Sequence, residues 1–244
     1  MRKVGLALLL IYVSCINIQA IDVDEILKKV DEKYDIDTQL IESTMTISSR
    51  RGKRELSMLT YTYKTEKSYS EYLAPAREKG TKMLRLEDSL WTYNPMADRI
   101  IKISGHLLRQ SVMGSDFSYE DMLERDILAT KYDAVLLNNE MFLERPCYVI
   151  ELIAKSDDLA YPKRHVWVDQ ERYIALKEER FAKSGVLLKK TEVTEVMEID
   201  KLWYPKKMLF KDMLKKGQGT IYEITSLKID VDVPEYVFTK AVLR

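Results

Sequence analysis

Two cysteines in 244 residues leave the chain almost nothing to cross-link. Cys15 falls inside an apolar leader, so Cys147 has no internal partner and the fold must be held by its core. Histidine is equally scarce: His106 and His165 stand alone, without the His-Glu-x-x-His spacing of a metal-binding helix. Cys147 sits between Pro146 and Tyr148 with no Cys-x-x-Cys partner, so no zinc site is implied. The Gly-x-Ser-x-Gly elbow and the phosphate-binding glycine loops are missing too. Gly217-Gln218-Gly219 lacks the third glycine of a dinucleotide fingerprint and reads as a turn. The sequence therefore assigns no catalytic residue, no metal ligand and no cofactor.

Charge of one sign is also lacking, since 39 Lys and Arg meet 39 Asp and Glu. That balance excludes an electrostatic nucleic-acid binder and argues against a polybasic membrane-surface protein. At 32% charged and 46% hydrophobic the chain is neither disordered nor fibrous. No repeat, low-complexity tract or shift in composition marks a domain boundary, so residues 21–244 read as one domain and a monomer is expected. The first twenty residues read as an export signal. Arg2 and Lys3 precede an apolar stretch over 4–13, and a polar stretch then ends at the small Ala20. Ten apolar residues are too few to span a bilayer, which takes about 20. A cut before Cys15 would instead leave a lipid anchor, but Tyr12 stands where that signal usually has Leu.

What is present is β pattern. Asp22 can cap a first helix over 23–34, with Ile26, Leu27, Val30 and Tyr34 along one face. Strands are expected over 40–49, 53–65, 67–73, 81–87, 89–93 and 99–104. More follow over 134–138, 142–143, 148–153, 164–169, 175–182, 187–199, 202–211 and 220–230. Arg51-Gly52, Ala74-Pro75, Lys79-Gly80, Asn94-Pro95 and Asn138-Asn139 read as turns between them. A long antiparallel meander of this kind curls into a barrel or sandwich as sheet twist accumulates. Several strands are semi-apolar on both faces, which requires cover on both.

One stretch breaks the pattern. Residues 106–116 lack alternation, and Ser118 lies three residues before Asp121, the spacing of a capping box, so a short helix is expected to about Arg125. A long irregular crossing with a short helix is a usual place for a lid or plug. The composition carries 11 Met and 15 Tyr against 5 Phe. Met adapts its shape and Tyr joins an apolar body to a wet tip, which suits a cavity for a flexible acyl chain, although ordinary β-core packing accounts for the same counts.

The run Leu90-Trp91-Thr92-Tyr93-Asn94-Pro95-Met96-Ala97-Asp98-Arg99, followed by Met113-Gly114-Ser115-Asp116-Phe117-Ser118-Tyr119-Glu120-Asp121, resembles the outer-membrane lipoprotein-sorting (LolA-like) family. The helix, early strands, central segment and a late Val233-Pro234-Glu235-Tyr236-Val237-Phe238 occur in the family's order. The resemblance implies a mainly β fold with a few helices: a curved, incompletely closed antiparallel β-barrel covered by helices. It further implies a periplasmic location and a hydrophobic cavity for lipid or lipoprotein acyl chains, with no catalysis, and an inner-membrane transporter as a further partner. From strand alternation, Tyr61, Tyr63, Met83, Trp91, Tyr93 and Ile101 are expected to wall the cavity, and Met113, Gly114, Asp116, Phe117, Tyr119 and Met122 to form its lid. Two alternatives stay open. One is a lipid-sensing accessory module of a membrane complex such as an export pump; the other is an enzyme acting on a bound lipid through Asp116 or His165.

Overall fold

A computed structural model describes residues 22–33, 36–49, 52–123 and 128–244; the leader with Cys15, and Tyr34, lie outside them. Helix α1 (Val23–Glu32) begins where the Asp22 carboxylate accepts the Asp24 N–H at 3.0 Å. Asp24 and Glu25 in its first turn suit the positive end of the helix dipole, and Ile26, Leu27 and Val30 are buried.

The strands are β1 (Thr38–Ser49), β2 (Gly52–Tyr63), β3 (Lys67–Ala74), β4 (Lys82–Leu86), β5 (Ser89–Asn94) and β6 (Arg99–Ile103). Two short 3-10 turns and helices α2 (Tyr119–Leu123) and α3 (Leu128–Lys131) then lead to β7 (Tyr132–Phe142). After it come β8 (Arg145–Ala154), β9 (Lys163–Asp169), β10 (Ala175–Phe181), β11 (Leu187–Ile199), β12 (Leu202–Asp212) and β13 (Thr220–Ile229). Two 3-10 turns, Glu235–Phe238 and Lys240–Leu243, end the chain.

These strands form one antiparallel sheet in the order β6-β5-β4-β3-β2-β1-β13-β12-β11-β10-β9-β8-β7. Strands β6 and β7 are its two edges and do not pair with each other, so the sheet is open. Most bounds follow the alternation, and β11 occupies the residues expected of it, but the separate strands expected over 134–138 and 142–143 are one strand, β7. One turn is corrected. Asn138-Asn139 lies inside β7, where a bulge falls between Leu136 and Asn138, and the chain reverses at Leu143-Glu144 instead. Both of those residues have positive φ, 50° and 58°, a conformation usually signalled by Asn or Gly, so the sequence carries no mark of it.

Directly opposed residues share a face of a sheet. The register Ile150–Val166–Glu178–Thr191–Phe210–Thr220–Ile47 runs across seven strands and defines one face. At one end of that face α1 packs its Ile26, Leu27 and Val30 on Tyr132, Ile150, Leu152, Val166 and Val168. At the other end lie Met45, Ile47, Leu56, Met58, Tyr72, Met83, Leu90 and Ile103, with the segment after β6 packed on them. This is the plug face. On the opposite face Tyr61, Tyr69, Leu84 and Trp91 stand in register, and the C-terminal Val237, Phe238, Val242 and Leu243 pack over them. Lys82 fixes that tail by donating to the Val242 carbonyl at 2.8 Å, while Lys240 sits 4.5 Å from the centre of the Trp91 ring.

Leu243 is fully buried although it is the penultimate residue. Leu243→Ala is expected to cost about 2–3 kcal/mol in urea unfolding, by loss of buried area and a residual cavity. Leu214→Ala, at a solvent-exposed turn, should stay within about 0.5 kcal/mol of the parent protein.

Candidate functional site: a latched plug on the sheet

The plug begins after β6 as a 3-10 turn (Gly105–Arg109), continues through a second (Val112–Gly114) and ends with α2. Its reversal needs two successive left-handed residues, Met113 at φ 52° and Gly114 at φ 75°, and glycine takes the second without a Cβ penalty. The α2 start is a reciprocal cap. Asp121 Oδ2 accepts the Ser118 N–H at 2.7 Å and its hydroxyl at 2.6 Å, and Ser118 Oγ accepts the Asp121 N–H at 3.2 Å. From this frame Val112, with Leu107, Leu108, Met113, Tyr119, Met122 and Leu123, reaches the apolar cluster of the plug face.

The plug is held on the middle strands by charge. Asp121 Oδ1 accepts Arg180 Nη1 at 2.9 Å and the Tyr161 hydroxyl at 2.7 Å. Arg180 Nη2 reaches Glu178 at 2.9 Å, and Glu178 also takes Arg164 Nη1 at 3.1 Å. Arg164 in turn lies over the Tyr132 ring at 4.7 Å, so the chain of charges ends beside the residues under α1. Burial alone would raise the Asp121 carboxyl; Arg180, the Ser118 hydroxyl and Lys189 outweigh it and hold the group below the usual carboxylate range. Burial likewise acts to raise Glu178, and the two guanidiniums overcome it.

A second anchor is Asp116. Its Oδ1 accepts the Asp212 N–H at 3.0 Å and its Oδ2 accepts the Thr220 hydroxyl at 2.9 Å, while Thr220 Oγ1 accepts the Asp116 N–H at 2.9 Å. Lys189 Nζ donates to the Asp116 carbonyl at 2.8 Å and to Asp212 at 3.1 Å. Lys215 donates to the Ser115 carbonyl at 2.8 Å and to the Ser111 hydroxyl, and Arg54 donates to the Met113 carbonyl. Phe117 meets Phe210 edge-on at 4.5 Å between centroids. Asp116, Phe117, Asp121, Arg180, Lys189 and Phe210 line a small cleft here.

All six expected lid residues lie in this plug: Met113, Tyr119 and Met122 on the apolar cluster, Asp116 and Phe117 on the middle strands, and Gly114 at the reversal. The six expected wall residues do not share a face. Met83 and Ile101 stand in register on the plug face, whereas Tyr61, Tyr63, Trp91 and Tyr93 point to the opposite one, under or beside the C-terminal tail. Alternation grouped them only within each strand, and the register between strands separates them. His165 pairs with Glu151 at 3.0 Å on the face opposite Asp116, so these two do not form one site. Arg180, Lys189, Tyr161, Asp212, Thr220 and Lys215 were not anticipated. Their trace in the sequence is that Glu178 and Arg180 interrupt an inward row otherwise begun by apolar Val166 and Val168. Among the described residues no group of His, Cys, Asp and Glu could hold a metal ion, and no helix is long and apolar enough to cross a membrane.

Comparison with known proteins follows this geometry. None of the curated proteins matches the chain. A DUF1329 family protein from Desulfovibrio piger is 24% identical and superposes with a TM-score of 0.84 over 91% of this chain and 97% of its own. A putative outer membrane lipoprotein-sorting protein domain from Vibrio parahaemolyticus is 25% identical, TM-score 0.81, over 90% and 97%. A LolA superfamily protein from Nitrosomonas europaea is 24% identical, TM-score 0.74, over 91% and 100%. Residues 64–244 match a family described as "Uncharacterized protein". The chain belongs to that family, and its fold is the one shared by these LolA-superfamily and lipoprotein-sorting proteins, the group its central segment resembles.

Proposed function

We propose that this protein is an exported, periplasmic carrier that takes acyl chains of a lipid or lipoprotein between the plug and the sheet and delivers them towards the outer membrane. The observation that supports this reading is the pairing of a methionine-rich apolar surface with a cover held to the middle strands by polar contacts. Met45, Met58, Met83, Met113 and Met122 line the contact between plug and sheet, and the cover is held in place by ion pairs and hydrogen bonds. An acyl chain would replace the plug's own apolar side chains, gaining about 0.8 kcal/mol per buried CH₂. Met83 and Ile101 then belong to the cargo wall, and the aromatic row Tyr61, Tyr63, Trp91 and Tyr93 serves the tail. No step requires covalent chemistry.

A second reading, a lipid-gated contact with a membrane protein, is favoured by one feature. Edge strand β7 is eleven residues long and leaves Val135, Leu137 and Met141 exposed, a template for an added strand.

Three measurements test the carrier reading. Native mass spectrometry of protein purified without detergent should show a bound species in the lipid or acyl-peptide mass range; a clean apo mass together with no uptake of fluorescent fatty-acyl probes would sink it. Met122→Glu or Ile101→Glu should weaken probe uptake at least about tenfold, since each introduces an unpaired charge beside the chain, while Tyr93→Ser on the other face should leave uptake within about twofold. Equal losses from both faces would remove the assignment of the cargo to the plug face.

The latch is expected to be acid-labile. The folded Asp121 carboxyl sits below its unfolded value of about 3.9. Its stabilisation is thus complete at neutral pH and is lost as pH falls from about 4 through the lower folded value. The protection factors of the plug amides, taken against the intrinsic exchange rate at each pH, should fall across that window. Asp121→Asn should cost about 1–3 kcal/mol at pH 7 and converge with the parent protein in acid. A parent–variant gap that stays constant down to pH 2.5 would show that the charge of Asp121 does not hold the plug.

A further inference from the structure

The even charge balance of the chain hides a local excess. Three turns stand side by side at one end of the sheet: β1 to β2, β12 to β13 and β10 to β11. Ser48 donates its N–H to the Gly219 carbonyl at 3.4 Å, and Met213 donates its own to Leu188 at 2.9 Å, which fixes them as neighbours. This rim carries Lys215 and Lys216 in the second turn and Lys183 in the third, with Lys53, Arg54, Lys189, Lys190 and Lys211 on the strand ends beside the turns. Acids balance it only in part. Arg54 pairs with Glu78 at 3.4 Å, Lys190 with Glu192 at 2.7 Å and Lys183 with Asp157 at 2.7 Å. Lys189 reaches Asp121 at 3.7 Å and Lys211 reaches Asp116 at 4.0 Å, and the buried Asp212 is shared by Lys189 at 3.1 Å and Lys215 at 3.6 Å. The exposed lysines of the rim are Lys53, Lys183, Lys215 and Lys216. Lys211 gives its hydrogen bonds to the Lys215 and Gly217 carbonyls. Among these lysines stand three apolar side chains with nothing to bury them: Leu214, 71% exposed, Met213, 42%, and Val186, 49%.

We propose that this rim docks on an anionic lipid bilayer, with Leu214, Met213 and Val186 entering the boundary between headgroups and acyl chains and the exposed Lys53, Lys183, Lys215 and Lys216 facing lipid phosphates. Exposed apolar side chains ringed by lysine are the chemistry of an interfacial contact. Charge complementarity selects an anionic surface. The apolar area, three side chains on two turns, falls far short of the roughly 800 Å² per partner of a stable protein interface. Flexible lysine stems suit a diffuse field of phosphates better than one fixed partner geometry. The rim also adjoins the plug, because Lys215 bonds both Ser111 and Ser115. Contact with a membrane would therefore occur beside the segment that must move. Docking itself does not rest on the carrier reading.

The test is a tryptophan placed at the tip. Leu214→Trp emission should shift to the blue with vesicles of phosphatidylcholine containing one third phosphatidylglycerol, stay unmoved with phosphatidylcholine alone, and revert at high salt, where surface charge is screened. In the otherwise unaltered protein, Leu214→Glu and Lys216→Glu should each lower co-sedimentation with the anionic vesicles about tenfold. Both positions are exposed, so melting temperature should not change. No shift with anionic vesicles, or an equal shift with both kinds, overturns the proposal. So does a photo-crosslinker at position 214 that captures one envelope protein in cells while vesicles leave it unbound, which would assign the rim to a protein partner. Fatty-acyl probe uptake is measured on the same samples: docking without uptake ends the carrier reading and leaves this one standing.

Discussion

An antiparallel sheet whose two edge strands do not meet has to find cover for an apolar face that a closed barrel would turn inward. Here that face divides into three zones. Apolar residues lie under α1 at one end and under the plug at the other, and between them β10, β11 and β12 place Glu178, Arg180, Lys189 and Asp212 on the same side. Whatever covers the middle zone must supply counter-charges, because a buried charge left unpaired costs several kcal/mol. Asp121 and Asp116 do so, from a segment whose other side chains are apolar. The acids thus fix where the plug sits, and methionines fill whatever shape remains.

This division explains what could be read in advance. The strands were legible because period-two alternation is local, and so was the cap of α2, since Ser118 and Asp121 lie three residues apart. The turn at Leu143-Glu144 was not, because β7 and β8 impose positive φ on residues that do not advertise it. The partners of the plug were illegible for a different reason. Arg180 lies 59 positions beyond Asp121, and Thr220 lies 104 beyond Asp116; nothing short-range in the sequence encodes either meeting.

The assignment of faces shows the same limit. Trp91, Tyr93 and Tyr61 have the amphipathic chemistry expected of a lipid cavity, and alternation pairs Trp91 with Tyr93 in β5 and Tyr61 with Tyr63 in β2 but does not relate the two strands. Which face they occupy depends on Val237, Phe238 and Leu243 returning from the end of the chain to cover them. Both faces are semi-apolar, so composition fits either, and only the long-range register separates a tail seat from a plug seat.

The two covers also differ in how they are held. The tail is retained by side chains that water cannot replace: Leu243 and Val237 are buried, with Phe238 and Val242 beside them. Releasing it would expose an aromatic row with nothing to take its place. The plug is retained by carboxylates, lysines, a guanidinium and backbone carbonyls, groups for which water, ions or lipid headgroups can substitute. Its apolar side chains are flexible Met and Leu that an acyl chain can match in kind. On the proposed carrier reading, a segment held by exchangeable polar contacts is the cover that an acyl chain could displace, provided the chain covers the apolar cluster beneath it. The tail has a side-chain hydrogen bond of this kind, from Lys82 to the Val242 carbonyl, but is held mainly by buried apolar side chains.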